Sequence, residues 1–140
     1  MNGERFFLDT AFVVALLNPK DALHEKAKSC FASVKQAQEV WTTEAVLLEI
    51  GNTFSASRRA EAANFIAQCF VTSNIHAVSV STTLFHRALE FYLQRPDKEW
   101  RLTDCVSFIV MQDHELIDAL TYDLDFQQAG FRALLREAEA

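Results

Sequence analysis

Residues 5–17 read RFFLDTAFVVALL. The first part, RFFLD, is a short apolar run closed by an acid. It predicts a buried strand over 5–9 that ends at Asp9. After Thr10, the seven residues AFVVALL predict a helix over 11–17, because Asn18-Pro19 follows and proline cannot continue it. A strand that passes at once into a helix sets the pattern for the rest of the chain. Residues 21–37 form an amphipathic helix, with Ala22, Leu23, Ala27, Phe31 and Val34 at helical spacing. Residues 39–42 are a strand, and Thr42 or Thr43 then caps a helix through about residue 55. A helix over 58–73 precedes IHAVSV, residues 75–80, which alternates as a strand does. Residues 82–94 are helical, and Pro96-Asp97 breaks the chain. A helix over 103–113 takes Thr103 as its N-cap. Strands at 116–120 and 131–135 complete the series. Strands separated by one or two helices predict an α/β fold, three layers in α/β/α order, around a mostly parallel sheet covered on both faces. Ligands bind such sheets at the carboxyl ends of the strands.

The chain has 140 residues, which suits one domain over 1–140 with a sizeable core. Three glycines and two prolines leave little material for flexible linkers. No segment reaches the roughly 18–20 apolar residues needed to span a bilayer. The start, MNGERFFLDT, lacks the long apolar stretch of a secretory signal. Cys30, Cys69 and Cys105 are widely spaced and odd in number, which predicts reduced thiols in a cytoplasmic protein rather than disulfides or a zinc site. The net charge of −6 does not advertise nonspecific binding to phosphates.

The acids are placed more tellingly than they are numerous. Asp9 closes the first strand, where it is also a good N-cap for the helix that follows. Glu49 interrupts AVLLEIGN, residues 45–52, beside a stripe of Val46, Leu47, Ile50 and Phe54. A charge there either reaches solvent, pairs with Arg58 or Arg59, or serves a site. Asp104 opens the apolar helix LTDCVSFIVM, where the helix dipole favours an ionised acid. Asp123 and Asp125 follow the 116–120 strand in ALTYDLDF, too close together for spacing to separate their roles. In a parallel sheet all these acids can converge at one edge. Clustered carboxylates repel and cannot all ionise cheaply. A hard divalent cation, Mg²⁺ or Mn²⁺, resolves that conflict through oxygen ligands. Such a cation can lower the pKa of a bound water and stabilise in-line displacement at phosphorus, which points to phosphodiester hydrolysis.

Four ordered motifs carry a resemblance: FFLDTAF, LLEIGN, LTDCVSF and ALTYDLDFQQAGF. Together they resemble the PIN-domain family, and most closely its VapC-like toxin ribonucleases. The resemblance implies a metal-dependent ribonuclease using Mg²⁺ or Mn²⁺, the toxin of a type II toxin–antitoxin pair, homodimeric and neutralised by a cognate antitoxin. It implies that Asp9, Glu49, Asp104 and Asp123 are the metal-holding catalytic acids. Thr10, Asn52, Ser107, Thr121 and Asp125 are the expected supporting residues around them. Arg58, Arg59, Lys98 and Arg101 are candidate contacts to an RNA substrate. The alternative is a non-catalytic PIN-fold module that binds RNA or protein. Loss of one or more acids would favour it, and all four are present.

Other chemistries fit less well. An aspartyl-phosphate phosphatase wants a second Asp two residues after the first, where Ala11 stands. A receiver domain wants an acceptor Asp after the 75–80 strand, where Ser81-Thr82 stand. A dinucleotide site wants a glycine-rich turn after the first strand, and none is present. His24, His76, His86 and His114 lack metal-ligand spacing.

Overall fold

Short runs rich in aromatic and β-branched residues form the strands, and amphipathic stretches between them form the helices. The computed structural model describes residues 3–137; residues 1–2 and 138–140, the ends of the domain read from the sequence, lie outside them. The elements run β1 (Arg5–Leu8), α1 (Thr10–Leu17), α2 (His24–Lys35), β2 (Glu39–Thr43), α3 (Glu44–Thr53), α4 (Arg59–Val71), β3 (Ile75–Val78), α5 (Thr82–Gln94), α6 (Leu102–Asp113), β4 (Asp118–Leu120), α7 (Leu124–Gln128) and β5 (Arg132–Ala133), closed by a 3₁₀ turn over Leu134–Arg136.

The sheet has the order β3-β2-β1-β4-β5, and every pairing is parallel. Helices cover both faces, giving three layers in the sequence α/β/α. The chain winds outward from central β1 to β3, then returns to lay β4 on the other side of β1. The carboxyl ends of β1 and β4 therefore flank the point where the winding reverses, where such folds bind ligands. Phe7 pairs with Trp41 on one side and Ala119 on the other, and the Asp9 amide donates to the Leu120 carbonyl at 3.3 Å. This last bond sets Asp9 beside the segment that leaves β4.

Four phenylalanines, Phe7, Phe12, Phe108 and Phe126, are among the largest fully buried side chains. Each contributes roughly 1.5–3 kcal/mol by leaving water. Phe108 meets Phe126 edge-on with ring centres 5.0 Å apart, and Phe7 lies 6.3 Å from Phe126. These rings belong to β1, α6 and α7. The aromatic core thus pins the three elements that carry Asp9, Asp104, Asp123 and Asp125.

Several boundaries differ from the expected ones, each for a local reason. The helix expected over 21–37 starts at His24, because Asp21 turns the chain by accepting the Leu23 amide at 2.9 Å. Thr43, not Thr42, caps α3 by accepting from the Val46 amide, while the Thr42 hydroxyl donates to the Leu8 carbonyl. Strand β3 stops at Val78, and the Val80 amide goes to the Glu44 carboxylate at 3.0 Å. Helix α6 takes Arg101 as N-cap, so Thr103 lies inside its first turn. Strand β4 starts at Asp118, because the Leu116 amide closes α6 on the Met111 carbonyl. The strand expected over 131–135 shortens to two residues before the 3₁₀ turn. Helix α7 was not expected. Among the described residues, no helix is long and apolar enough to cross a membrane.

Candidate active site

Asp9 stands at the N-cap position of α1 but makes no side-chain capping bond. It is only 5% exposed, and the Thr121 hydroxyl donates to its Oδ2 at 2.7 Å. Burial pushes its carboxyl up to about 6, with Asp123 and Glu49 adding repulsion against the lowering effect of Thr121 and the Thr10 amide. Thr121 is itself buried, and its oxygen accepts the Asp123 amide at 3.0 Å. One hydroxyl therefore couples the acid after β1 to the loop after β4.

Asp104 sits in the first turn of α6, where its carboxylate accepts the Arg101 amide at 3.3 Å. It is 6% exposed. Burial, then Asp9 and Asp123, raise its carboxyl to about 8. Asp123 caps α7 by accepting the Asp125 amide at 2.9 Å. The Asp125 carboxyl is raised by burial and by Asp123, and a hydrogen bond with Asp104 holds that rise back. Asp104, Asp123 and Asp125 each offer an oxygen within 4.8 Å of the other two.

Helix α3 presents Val46, Leu47, Ile50 and its cap residue Phe54 to the core and leaves Glu49 beside them. Glu49 faces the site and not open solvent; its side chain is 23% exposed. Thr10 donates to Oε1 at 2.7 Å, and the Arg101 guanidinium pairs with Oε2. Arg58 and Arg59 do not reach it. Arg58 pairs with Glu61, and Arg59 donates to the Ser55 carbonyl.

Asp9, Thr10, Glu49, Asn52, Arg101, Asp104 and Asp123 line one pocket of about 460 Å³. Asn52 lies on its wall, one turn beyond Glu49. Ser107 does not; it is buried, and its hydroxyl donates to the Thr103 carbonyl. Lys98 stands outside this pocket, 6.0 Å above the Trp100 ring. His76 and His114 stack on Trp41, and His24 bonds the Ala15 carbonyl, so these rings serve packing. The pairing of Arg101 with Glu49 was missed at the sequence level, where Arg101 stood only as a substrate contact. Its one signal was position, three residues before Asp104.

The donor set suits a hard cation. Its groups are carboxylate oxygens, and two of them are buried against like charges. A divalent cation offsets both the burial and the like-charge repulsion that raise Asp9 and Asp104. Fold and pocket together define an α/β/α protein with a cation-seeking, oxygen-lined site at the switch point of its sheet.

Comparison with known proteins gives the family. The PIN domain profile matches residues 6–132. The chain is 31% identical over 125 residues to the 23S rRNA-specific endonuclease VapC20 of Mycobacterium tuberculosis, covering 89% of this chain and 94% of that protein. It resembles the crystal structure of the same VapC20, a sarcin–ricin loop cleaving toxin, with a TM-score of 0.81 over 91% of this chain and 96% of that one. VapBC2 from Rickettsia felis, solved bound to a promoter DNA fragment, shares the fold at 15% identity and a TM-score of 0.60, with 91% of this chain and 94% of that one covered. The chain belongs to the PIN-domain family.

Proposed function

We propose that the protein is an endoribonuclease that hydrolyses RNA phosphodiester bonds with Mg²⁺ or Mn²⁺, acting as the toxin of a type II toxin–antitoxin pair. The observation that carries this reading is the meeting of Asp9, Glu49, Asp104 and Asp123 in one pocket, in a chain nearly a third identical to an rRNA-specific endonuclease. The substrate on this reading is a ribosomal RNA loop in the cytoplasm. The partners are a cognate antitoxin and a second copy of the chain.

Asp9, Glu49, Asp104 and Asp123 would hold the cation, with Asp125 within reach beside Asp104 and Asp123. When bound, it supplies Lewis acidity toward the phosphate and activation of water. The chain's own contribution is positioning. Thr121 fixes Asp9 and the Asp123 loop together, Thr10 fixes Glu49, and the Arg101 amide fixes Asp104. The phenylalanine cluster beneath keeps these elements from drifting, which matters because small displacements of catalytic groups are expensive in rate.

The test is cleavage of bacterial ribosomal RNA by purified, antitoxin-free protein. Discrete cleavage with Mg²⁺ or Mn²⁺ is expected, abolished by EDTA and lowered about a hundredfold or more in Asp9→Asn. No cleavage by the wild type, or equal cleavage by the variant, refutes the proposal.

A further inference from the structure

Arg101 is the one cation among the residues lining the acidic pocket. It also lines a second groove of about 430 Å³ that runs beside Arg95, Lys98 and Trp100, and it is the only residue common to both. We infer that Arg101 works in two positions: on Glu49 when the acids are without metal, and on an RNA phosphate once they hold one. The inference deepens the ribonuclease reading and rests on it.

Three observations carry it. First, both oxygens of Glu49 are already engaged, one by Thr10 and one by Arg101. Glu49 is absent from the tight oxygen cluster of Asp104, Asp123 and Asp125. Each oxygen keeps a second lone pair, but the Arg101 guanidinium sets a positive charge against Oε2, and like charge opposes a divalent cation there while Thr10 does not. Second, the two partners differ in freedom. Thr10 is fixed at the start of α1, whereas the Arg101 side chain is 70% exposed. An ion pair with one partner so exposed is weak, so a divalent cation displaces it readily. Third, the released side chain has a destination. The groove it shares with Arg95 and Lys98 adjoins the acids, and a guanidinium binds phosphate oxygens in a bidentate fork that a lysine cannot reproduce. An RNA backbone approaching five carboxylates needs such a charge at the rim.

The test joins metal binding to cleavage. Mn²⁺ alone is titrated by calorimetry into wild type, Arg101→Gln, Glu49→Gln and the double variant, with folding checked by circular dichroism. Arg101→Gln should tighten Mn²⁺ binding about two- to fivefold, the range an exposed pair supports. That gain should vanish when Glu49 is Gln, because the competition acts through that carboxylate. With Mn²⁺ present, cleavage of an oligonucleotide carrying the sarcin–ricin loop of 23S rRNA should lose about tenfold or more in kcat/KM in Arg101→Gln. Arg101→Lys should recover only part of it. Unchanged Mn²⁺ affinity, or a gain that persists without Glu49, overturns the occupancy of Glu49. Wild-type cleavage by Arg101→Gln overturns the transfer to phosphate. If the wild type cleaves no RNA while the metal cycle behaves as stated, the ribonuclease reading fails and the phosphate position falls with it, while the competition for Glu49 stands.

Discussion

Replacing Asp104 by asparagine should stabilise the metal-free protein at neutral pH, although it removes a residue of the helix first turn. The Asp104 carboxyl is pushed from 3.8 up to about 8 by burial and by its acidic neighbours. At pH 7 the unfolded chain holds this carboxylate ionised in water, whereas the fold prefers it protonated. Roughly three pH units at about 1.36 kcal/mol each amount to about 4 kcal/mol against folding. Part of this is shared with Asp9, Asp123 and Asp125, and asparagine accepts the Arg101 amide less strongly, so a net gain of about 2–3 kcal/mol is expected. For a chain of this length that is about 6–9 °C in Tm. The sign with pH is diagnostic. Below about pH 4 the acid is protonated in both states and the penalty is absent; it accumulates as pH rises from about 4 toward 8. Thermal melts of wild type and Asp104→Asn in EDTA, at pH 4 and pH 7, measure it. The variant should match wild type at pH 4 and exceed it at pH 7, and Mn²⁺ should reverse the order by stabilising wild type more. A variant that melts lower at both pH values by the same amount would show that Asp104 is a helix cap, and the repulsion argument would be wrong.

Three further outcomes are expected. Thr121→Val removes the bonds to Asp9 and to the Asp123 amide; calorimetry with Mn²⁺ should show about tenfold weaker binding, and denaturant melts a loss of about 2 kcal/mol. Phe126→Ala empties the ring cluster beneath the site and should cost about 3–5 kcal/mol by urea unfolding, with cleavage lost in the folded fraction as well, because α7 carries Asp125 and follows Asp123. Phe70 and Leu48 are 57% and 68% exposed and line one shallow apolar groove between α3 and α4; Phe70→Glu should convert the proposed homodimer to a monomer in sedimentation velocity, and an unchanged dimer would place that interface elsewhere.

Much of this molecule can be read from its residues. RFFLDT announces β1 and α1, because an apolar run, an acid and a second apolar run leave few other structures. Glu49 stands out because it interrupts a helical stripe, and the structure places it at the acidic pocket. What escapes is set by long-range contacts. The order of the strands depends on which side of β1 the returning β4 takes, and no local pattern encodes that. Helix α7 has five residues, too few for periodicity, and with Asp123 as its N-cap and Asp125 in its first turn, spacing could not tell the two acids apart. Ser107 lies one turn beyond Asp104, yet α6 is buried nearly all round, so helical spacing alone could not say which face meets the site. The apolar residues of α4 divide between core and surface: Cys69 is buried, Phe65 and Ile66 pack against the core, and Phe70 points outward. The pairing of Arg101 with Glu49 spans 52 residues and is visible only in three dimensions.

The most direct test of the central claim is an anomalous diffraction map from crystals soaked in Mn²⁺. The account predicts a peak in the acidic pocket at about 2.0–2.3 Å from carboxylate oxygens of Asp104 and Asp123, with Asp9 and Glu49 drawn to the same site. A peak bound elsewhere, or none at saturating Mn²⁺ with Glu49 still held by Arg101, would contradict it.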